Sequence, residues 1–199
     1  TEYGLVMGKS INAFLAKAGS LIVQLKERAD VSPYIVSELT ALFREVKEAM
    51  EKIKELETNI DSIAKTLKQY DLFRSAPGVG PITAATMLVL LCNPAVFKNG
   101  REFAAYIGLA PKSSGSGGKN FVTHIPKKCE CNNDVRALLV QCAHSICRCK
   151  HKSDWVSSIL ARKPKKVAII AIANKLARQL SIMAKKGEKF EKRFILAAV

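Results

Sequence analysis

Between Ile35 and Tyr70 apolar residues recur in alternating steps of four and three, and no other feature constrains the chain more. The positions are Ile35, Leu39, Leu42, Val46, Ala49, Ile53, Leu56, Ile60, Ile63, Leu67 and Tyr70, with Glu and Lys filling many of the intervals. A 3.5-residue period draws one apolar stripe along a helix and defines a coiled-coil seam. Ser32-Pro33 supplies a cap and a first-turn proline at its start. Such a helix runs ~50 Å at 1.5 Å per residue, too long for one small core, so pairing is favoured over an amphipathic helix lying on its own domain. Before it, Ile11, Phe14, Leu15, Ala18, Leu21, Ile22 and Leu25 form a shorter helical pattern. This segment either folds back on the long helix or belongs to a preceding domain.

The rest reads as a compact helical body, giving a mostly α fold: a coiled-coil arm over residues 1–70, then a domain over residues 71–199. Helices are expected over Ile82–Leu91, Glu102–Ile107, Asp134–Cys149 and Lys165–Lys185. Gly108–Ile125 is expected to be a glycine- and serine-rich loop with a strand near Phe121-Val122. On the last helix Val167, Ile170, Ala171, Asn174, Ala177 and Met183 fall near one face, with Lys166, Lys175 and Arg178 around it.

Charge separates the two parts. Residues 1–70 hold 10 Lys/Arg and 10 Asp/Glu, whereas residues 71–199 hold 22 and 7 and carry the whole net charge of +15. A neutral arm joined to a basic body suits phosphate backbones better than an acidic membrane surface or charge kept for solubility alone. No membrane partner is expected, since unbroken apolar runs such as Met87–Cys92 are far below the ~20 residues a bilayer demands. With no export signal, the six cysteines are expected as reduced thiols in a cytoplasm. Cys129, Cys131, His144, Cys147, Cys149 and His151 invite a zinc reading, but C-x-C pairs lack the usual C-x-x-C spacing, and no metal is assigned.

Two motifs carry chemistry. Leu72-Phe73-Arg74-Ser75-Ala76-Pro77-Gly78-Val79-Gly80-Pro81-Ile82-Thr83-Ala84-Ala85 resembles the hairpin of a helix-hairpin-helix module. Gly78 and Gly80 let the turn approach closely, and free amides at the next helix's start can bind phosphate without reading bases. A plain tight turn would also use these glycines. Further on, Lys112-Ser113-Ser114-Gly115-Ser116-Gly117-Gly118-Lys119 flanks serines with glycine. Lys119 and the loop amides can hold phosphate oxygens while a serine hydroxyl attacks a phosphodiester. Read alone, a Ser/Gly loop is ordinarily a flexible linker.

Taken together and in order, "APGVGPITA", "GREFAAYIGLAPK", "SGSGGK" and the late "KKVAIIAIANKLAR" resemble the carboxy-terminal region of the transposases of the insertion sequence one-ten type, relatives of the Piv and MooV DNA invertases. "EYGL" at Glu2–Leu5 and the long helix extend the resemblance over nearly the whole chain. It implies a nucleophilic serine in an S-G-G-K context, which falls on Ser116 rather than Ser113 or Ser114, and strand exchange through a phosphoserine link. It also implies a RuvC-like domain holding magnesium before Thr1, guide RNA as a further partner, and dimers or tetramers assembled through the arm. The expected nucleic-acid contacts are Gly78, Gly80, Gly117, Gly118, Lys119, Lys127, Lys128 and Arg136, with Lys175 and Arg178 on a helix that reads equally as a solvated basic face. The protein is expected in the cytoplasm, on the nucleoid. This stretch alone, with no cofactor of its own and no substitute acidic cluster, is expected not to cut DNA. The chain departs from the family where Ile125-Pro126-Lys127-Lys128 runs into Cys129-Glu130-Cys131-Asn132-Asn133-Asp134-Val135-Arg136, adding about two residues and losing a glycine. Other readings are a non-catalytic helix-hairpin-helix architectural protein and an RNA-binding adaptor.

Overall fold

The computed structural model describes residues 10–111, 113–116, 119–122 and 132–190, the two strand segments through their backbone. The described residues are mostly helical, with one short hairpin, and the chain divides into two compact units, Thr1–Thr58 and Asn59–Val199.

In the first unit, α1 (Ile11–Lys26) opens on a Ser10 cap whose Oγ accepts from Ala13 N at 3.2 Å. It is followed by α2 (Pro33–Lys65), 33 residues long. Ile22 and Leu25 of α1 are buried with Val31 and Val36, and Phe43 packs against them. Phe14 meets the Phe43 ring edge-on at 6.3 Å. The short amino-terminal pattern therefore folds back on the beginning of α2. Among the described residues, Leu42, Ile53 and Leu56 of the stripe on α2 are each left about half exposed in the single chain.

The seam expected to run to Tyr70 breaks off earlier. α2 ends at Lys65, where Thr66 N and Leu67 N bond to the carbonyls three residues back, Ile63 and Ala64. Tyr70 opens the short helix α3 (Tyr70–Arg74) and is only 1% exposed, in the core of the second unit. Its hydroxyl donates to Asp61, whose carboxylate also takes Lys65 Nζ at 2.6 Å. A ring that large with a partner for its hydroxyl is worth more in a core than on a stripe, which overrides the heptad step.

The second unit continues through α4 (Pro81–Leu90), a 3-10 turn at Pro94–Val96, α5 (Gly100–Tyr106), β1 (Ser113–Ser116), β2 (Lys119–Val122), α6 (Asn133–Arg148), α7 (Asp154–Arg162) and α8 (Lys165–Lys186). The strands pair antiparallel. α8 is the axis of this unit, packed by α3, α5, α6 and α7. Its buried face runs through Ala168, Ile169, Ile172, Ala173, Leu176, Ala177, Leu180, Met183 and Ala184. Small alanines let the neighbouring helices come close, and Leu176, Leu180 and Met183 fill the space between them. Of the face expected from the sequence, Ala177 and Met183 are fully buried, whereas Val167 is half exposed and Ile170 lies at the margin of the core. A helix packed on several sides has no single polar face to set its phase. α8 is also long and apolar enough to cross a membrane, but most of its apolar stretch is buried inside this core.

Candidate nucleic-acid interface and serine hairpin

The Gly78–Gly80 turn joins α3 to α4, and the two glycines do different work. Gly78 has φ +75°, the left-handed region that favours glycine, and a Cβ there would lie 2.7 Å from the Cys142 carbonyl oxygen and 2.9 Å from Ile146 Cγ1. It is the point where the turn presses onto α6. Gly80, by contrast, caps α4 with φ −85°, and a Cβ there would meet nothing within 4 Å. The turn is held from outside by Arg74, whose Nη1 donates to the Val79 carbonyl at 2.6 Å. From inside it is held by Cys142, whose thiol lies 3.5 Å from Thr83 Oγ1. Burial pushes that thiol above the usual cysteine range, so it behaves as a small apolar filler under the turn. The open side is at Gly80, where Pro81 has no N–H to offer and the Ile82 and Thr83 amides begin the helix.

The approach to the serine segment is fixed from α5. Asn99 caps this helix by accepting from Glu102 N at 2.9 Å, and Glu102 Oε2 accepts from Lys98 N at 2.5 Å, a reciprocal cap. The helix ends on Gly108, with φ +72°, and Leu109 N closes back onto the Ala104 carbonyl at 2.8 Å. Just beyond, Asn174 Nδ2 on α8 donates to the Leu109 carbonyl at 2.9 Å. The Gly-Leu-Ala-Pro stretch is thereby tied to the central helix immediately before β1. Sequence reading placed Asn174 only on a helix face, because a contact spanning 65 residues leaves no local signal.

In the hairpin, Ser113 pairs with Val122, Ser114 with Phe121, Gly115 with Asn120 and Ser116 with Lys119. The loop expected here is therefore partly a two-stranded ladder, and its backbone sets Ser116 opposite Lys119. Gly117, Gly118, Lys127 and Lys128 lie outside the described residues, as do Cys129 and Cys131.

Of the remaining expected contacts, Arg136 stands half-buried in the first turn of α6. Lys175 is turned onto an aromatic ring, with Nζ 4.0 Å from the centroid of Trp155, the only tryptophan. Burial, with the charge of Arg178 adding to it, holds the Lys175 ammonium below the usual lysine range. Arg178 lies in another setting, at the crossing of α5 and α8, where a Cβ on Gly100 would meet its carbonyl oxygen at 2.9 Å and its Cα at 3.0 Å. Among the described residues, Lys175 stands on Trp155 and Arg178 at the Gly100 crossing, one helical turn apart on α8. α7, which sequence reading passed over, supplies Trp155. Its signal was Ser153 before Asp154, with the Ser153 Oγ accepting from Val156 N at 3.4 Å. Among the described residues no three His, Cys, Asp or Glu side chains converge as metal ligands would.

A basic helical body with a Ser-Gly-Gly-Lys hairpin is, by comparison with known proteins, similar to transposases. Residues 70–156 match the model of the transposase IS116/IS110/IS902 family. A putative transposase (y4pF/y4sB) of Sinorhizobium fredii is 32% identical over 197 residues, 95% of this chain and 49% of that protein. The transposase for insertion sequence element IS1328 of Yersinia enterocolitica is 30% identical over 96% of this chain and 57% of its own length. That for element IS1111A of Coxiella burnetii is 29% identical over 88% of this chain and 49% of its own. The chain spans about half the length of the curated relatives it matches. These matches support a transposase region of the IS110/IS116 kind.

Proposed function

We propose that this chain is the carboxy-terminal region of a DNA transposase that exchanges strands through a serine nucleophile, Ser116. The observation that carries the reading is the match of residues 70–156 to the transposase family model, which begins at Tyr70 and spans the glycine turn and the serine hairpin. In the proposed step the Ser116 oxygen forms a bond to phosphorus as one phosphodiester P–O bond breaks. The hydroxyl proton passes to a base and the leaving oxygen takes one up. Rejoining reverses both bond changes, so the phosphoserine link conserves the bond energy and no external energy source is required. Ladder pairing of Ser116 with Lys119 supports a role for the lysine in holding the attacked phosphate. Magnesium, which the family resemblance implies, would be held by a RuvC-like domain. The described residues offer no cluster that fits it, and no step is assigned to it in this chain.

DNA is the proposed substrate, with the protein in the cytoplasm on the nucleoid and guide RNA as a further partner. The stripe on α2 is proposed to pair with a second copy, since half-exposed Leu42, Ile53 and Leu56 are stabilised by leaving water. Fluorescence anisotropy of the chain with duplexes of unrelated sequence tests the DNA reading. Equal affinities that fall steeply with salt are expected from a +15 chain. No binding at low salt overturns it.

A further inference from the structure

Where α5 crosses α8 the second unit has a basic concavity. Its volume is about 480 Å³. One wall is the entry to α5, with Lys98 and Arg101. The other is one stripe of α8, where Arg178, Ile182 and Lys185 follow at helical spacing. The walls are locked together. Gly100 packs onto the Arg178 backbone with no room for a Cβ. Lys185 Nζ donates to the Phe97 carbonyl and, at 2.9 Å, to the Lys98 carbonyl. Two of its three N–H groups are thus committed to holding the loop. Lys98, Arg101 and Lys185 are exposed and Arg178 is half-buried. Among the described residues, none of the four makes an ion pair with a carboxylate. The nearest carboxylate contact is Glu102 on the Lys98 backbone amide, where it serves as a cap.

Four cations with no ion pair to a carboxylate among the described residues make this trough a place that attracts an anion. The lining shows which anion. Among the described residues no aromatic side chain lines the concavity, and so none there offers the platform on which an unpaired base stacks in single-strand binders. The concavity is also an open trough rather than an enclosing pocket, unsuited to a free nucleotide. We propose that Lys98, Arg101, Arg178 and Lys185 form a seat for the phosphate backbone of duplex DNA, gripping consecutive phosphates without reading bases. The proposal rests on the reading that this chain acts on DNA, and it adds Lys98, Arg101 and Lys185 to the nucleic-acid contacts expected from the sequence.

The test is anisotropy of the full chain with a fluorescein-labelled duplex across a salt series. Lys98→Gln with Arg101→Gln removes two phosphate contacts, and each contributes about 0.9 to the slope of log K against log salt, so the slope should fall by roughly 1.8. With affinity at molar salt unchanged, the loss is about two-hundredfold at ~0.05 M salt and about twentyfold at ~0.2 M. Lys98→Arg with Arg101→Lys, which keeps the charges, should retain affinity within about threefold. Lys165→Gln with Lys166→Gln removes equal charge from the opposite end of α8 and should cost far less. Matching circular dichroism and melting curves show that the variants fold. Equal losses in the Lys98/Arg101 and Lys165/Lys166 pairs mean diffuse attraction rather than a seat and overturn the proposal. A wild-type chain that binds no duplex fails the underlying DNA reading instead. A loss seen only with double-stranded RNA assigns the seat to RNA and overturns the choice of DNA.

Discussion

Replacing Gly78 with alanine separates a packing role from a binding role in the glycine turn. The new methyl group meets two obstacles at once. At φ +75° a residue with a Cβ is strained by about 1–2 kcal/mol. The methyl would also lie 2.7 Å from the Cys142 carbonyl oxygen and 2.9 Å from Ile146 Cγ1, on a helix whose backbone cannot give way. Forced overpacking of this kind costs about 1–3 kcal/mol. Together these give about 3 kcal/mol against a total stability of roughly 5–15 kcal/mol, or a fall in Tm of roughly 10 °C. Gly80→Ala, with φ −85° and open space around its Cβ, should stay within about 0.5 kcal/mol of the parent. Urea unfolding followed by fluorescence of Trp155, the only tryptophan, reports on the unit that holds the turn. Gly78→Ala and Gly80→Ala unfolding at the same midpoint, with the same slope, would refute the assignment of Gly78 to packing.

Two further predictions concern the arm and its end. Burial and the Asp61 carboxylate push the Tyr70 hydroxyl up to about 12. Unfolded tyrosine releases its proton near pH ~10, so the unfolded state loses the proton first as pH rises. The contribution is complete below pH ~10 and is lost by pH ~12. Urea midpoints should therefore decline across that window in the parent more than in Tyr70→Phe, and parallel declines would count against the Tyr70–Asp61 contact. On the seam, Leu42→Lys with Ile53→Lys should abolish self-association at micromolar concentration while leaving helicity unchanged, because both side chains are half exposed in the single chain. Sedimentation equilibrium reads this, and a monomeric parent chain would rule out the pairing.

How much the sequence disclosed depended on whether a feature was local. The helices around Leu88, Leu139 and Leu176 were legible because their apolar spacing and their caps lie within a few residues of one another. α7 carried the same kind of signal in Ser153 and Asp154 but is only nine residues long, too short for periodicity to assert itself. Tyr70 fitted the heptad step, and only the core decided otherwise, by offering its ring a place and its hydroxyl the Asp61 carboxylate. Gly78 and Gly80 looked alike as turn glycines until α6 was seen behind one and open space beside the other. The Asn174–Leu109 tie and the Lys98–Lys185 wall join positions 65 and 87 residues apart, and long-range pairs of this kind leave no mark on a single sequence. Ser116 was the reverse case: the resemblance singled it out, and the fold adds its ladder partner, Lys119.

The most direct test of the account is covalent trapping on suicide DNA substrates. The protein used should carry this chain together with the proposed RuvC-like domain, and the reaction should contain magnesium. Denaturing gels should show protein–DNA adducts in the parent protein and in the Ser113→Ala and Ser114→Ala variants, and none in Ser116→Ala. DNA affinity in Ser116→Ala should be nearly unchanged, since many lysines and arginines supply it while one hydroxyl supplies the chemistry. Adducts that persist in Ser116→Ala, or that vanish in Ser113→Ala or Ser114→Ala while Ser116 is intact, would contradict Ser116 as the nucleophile.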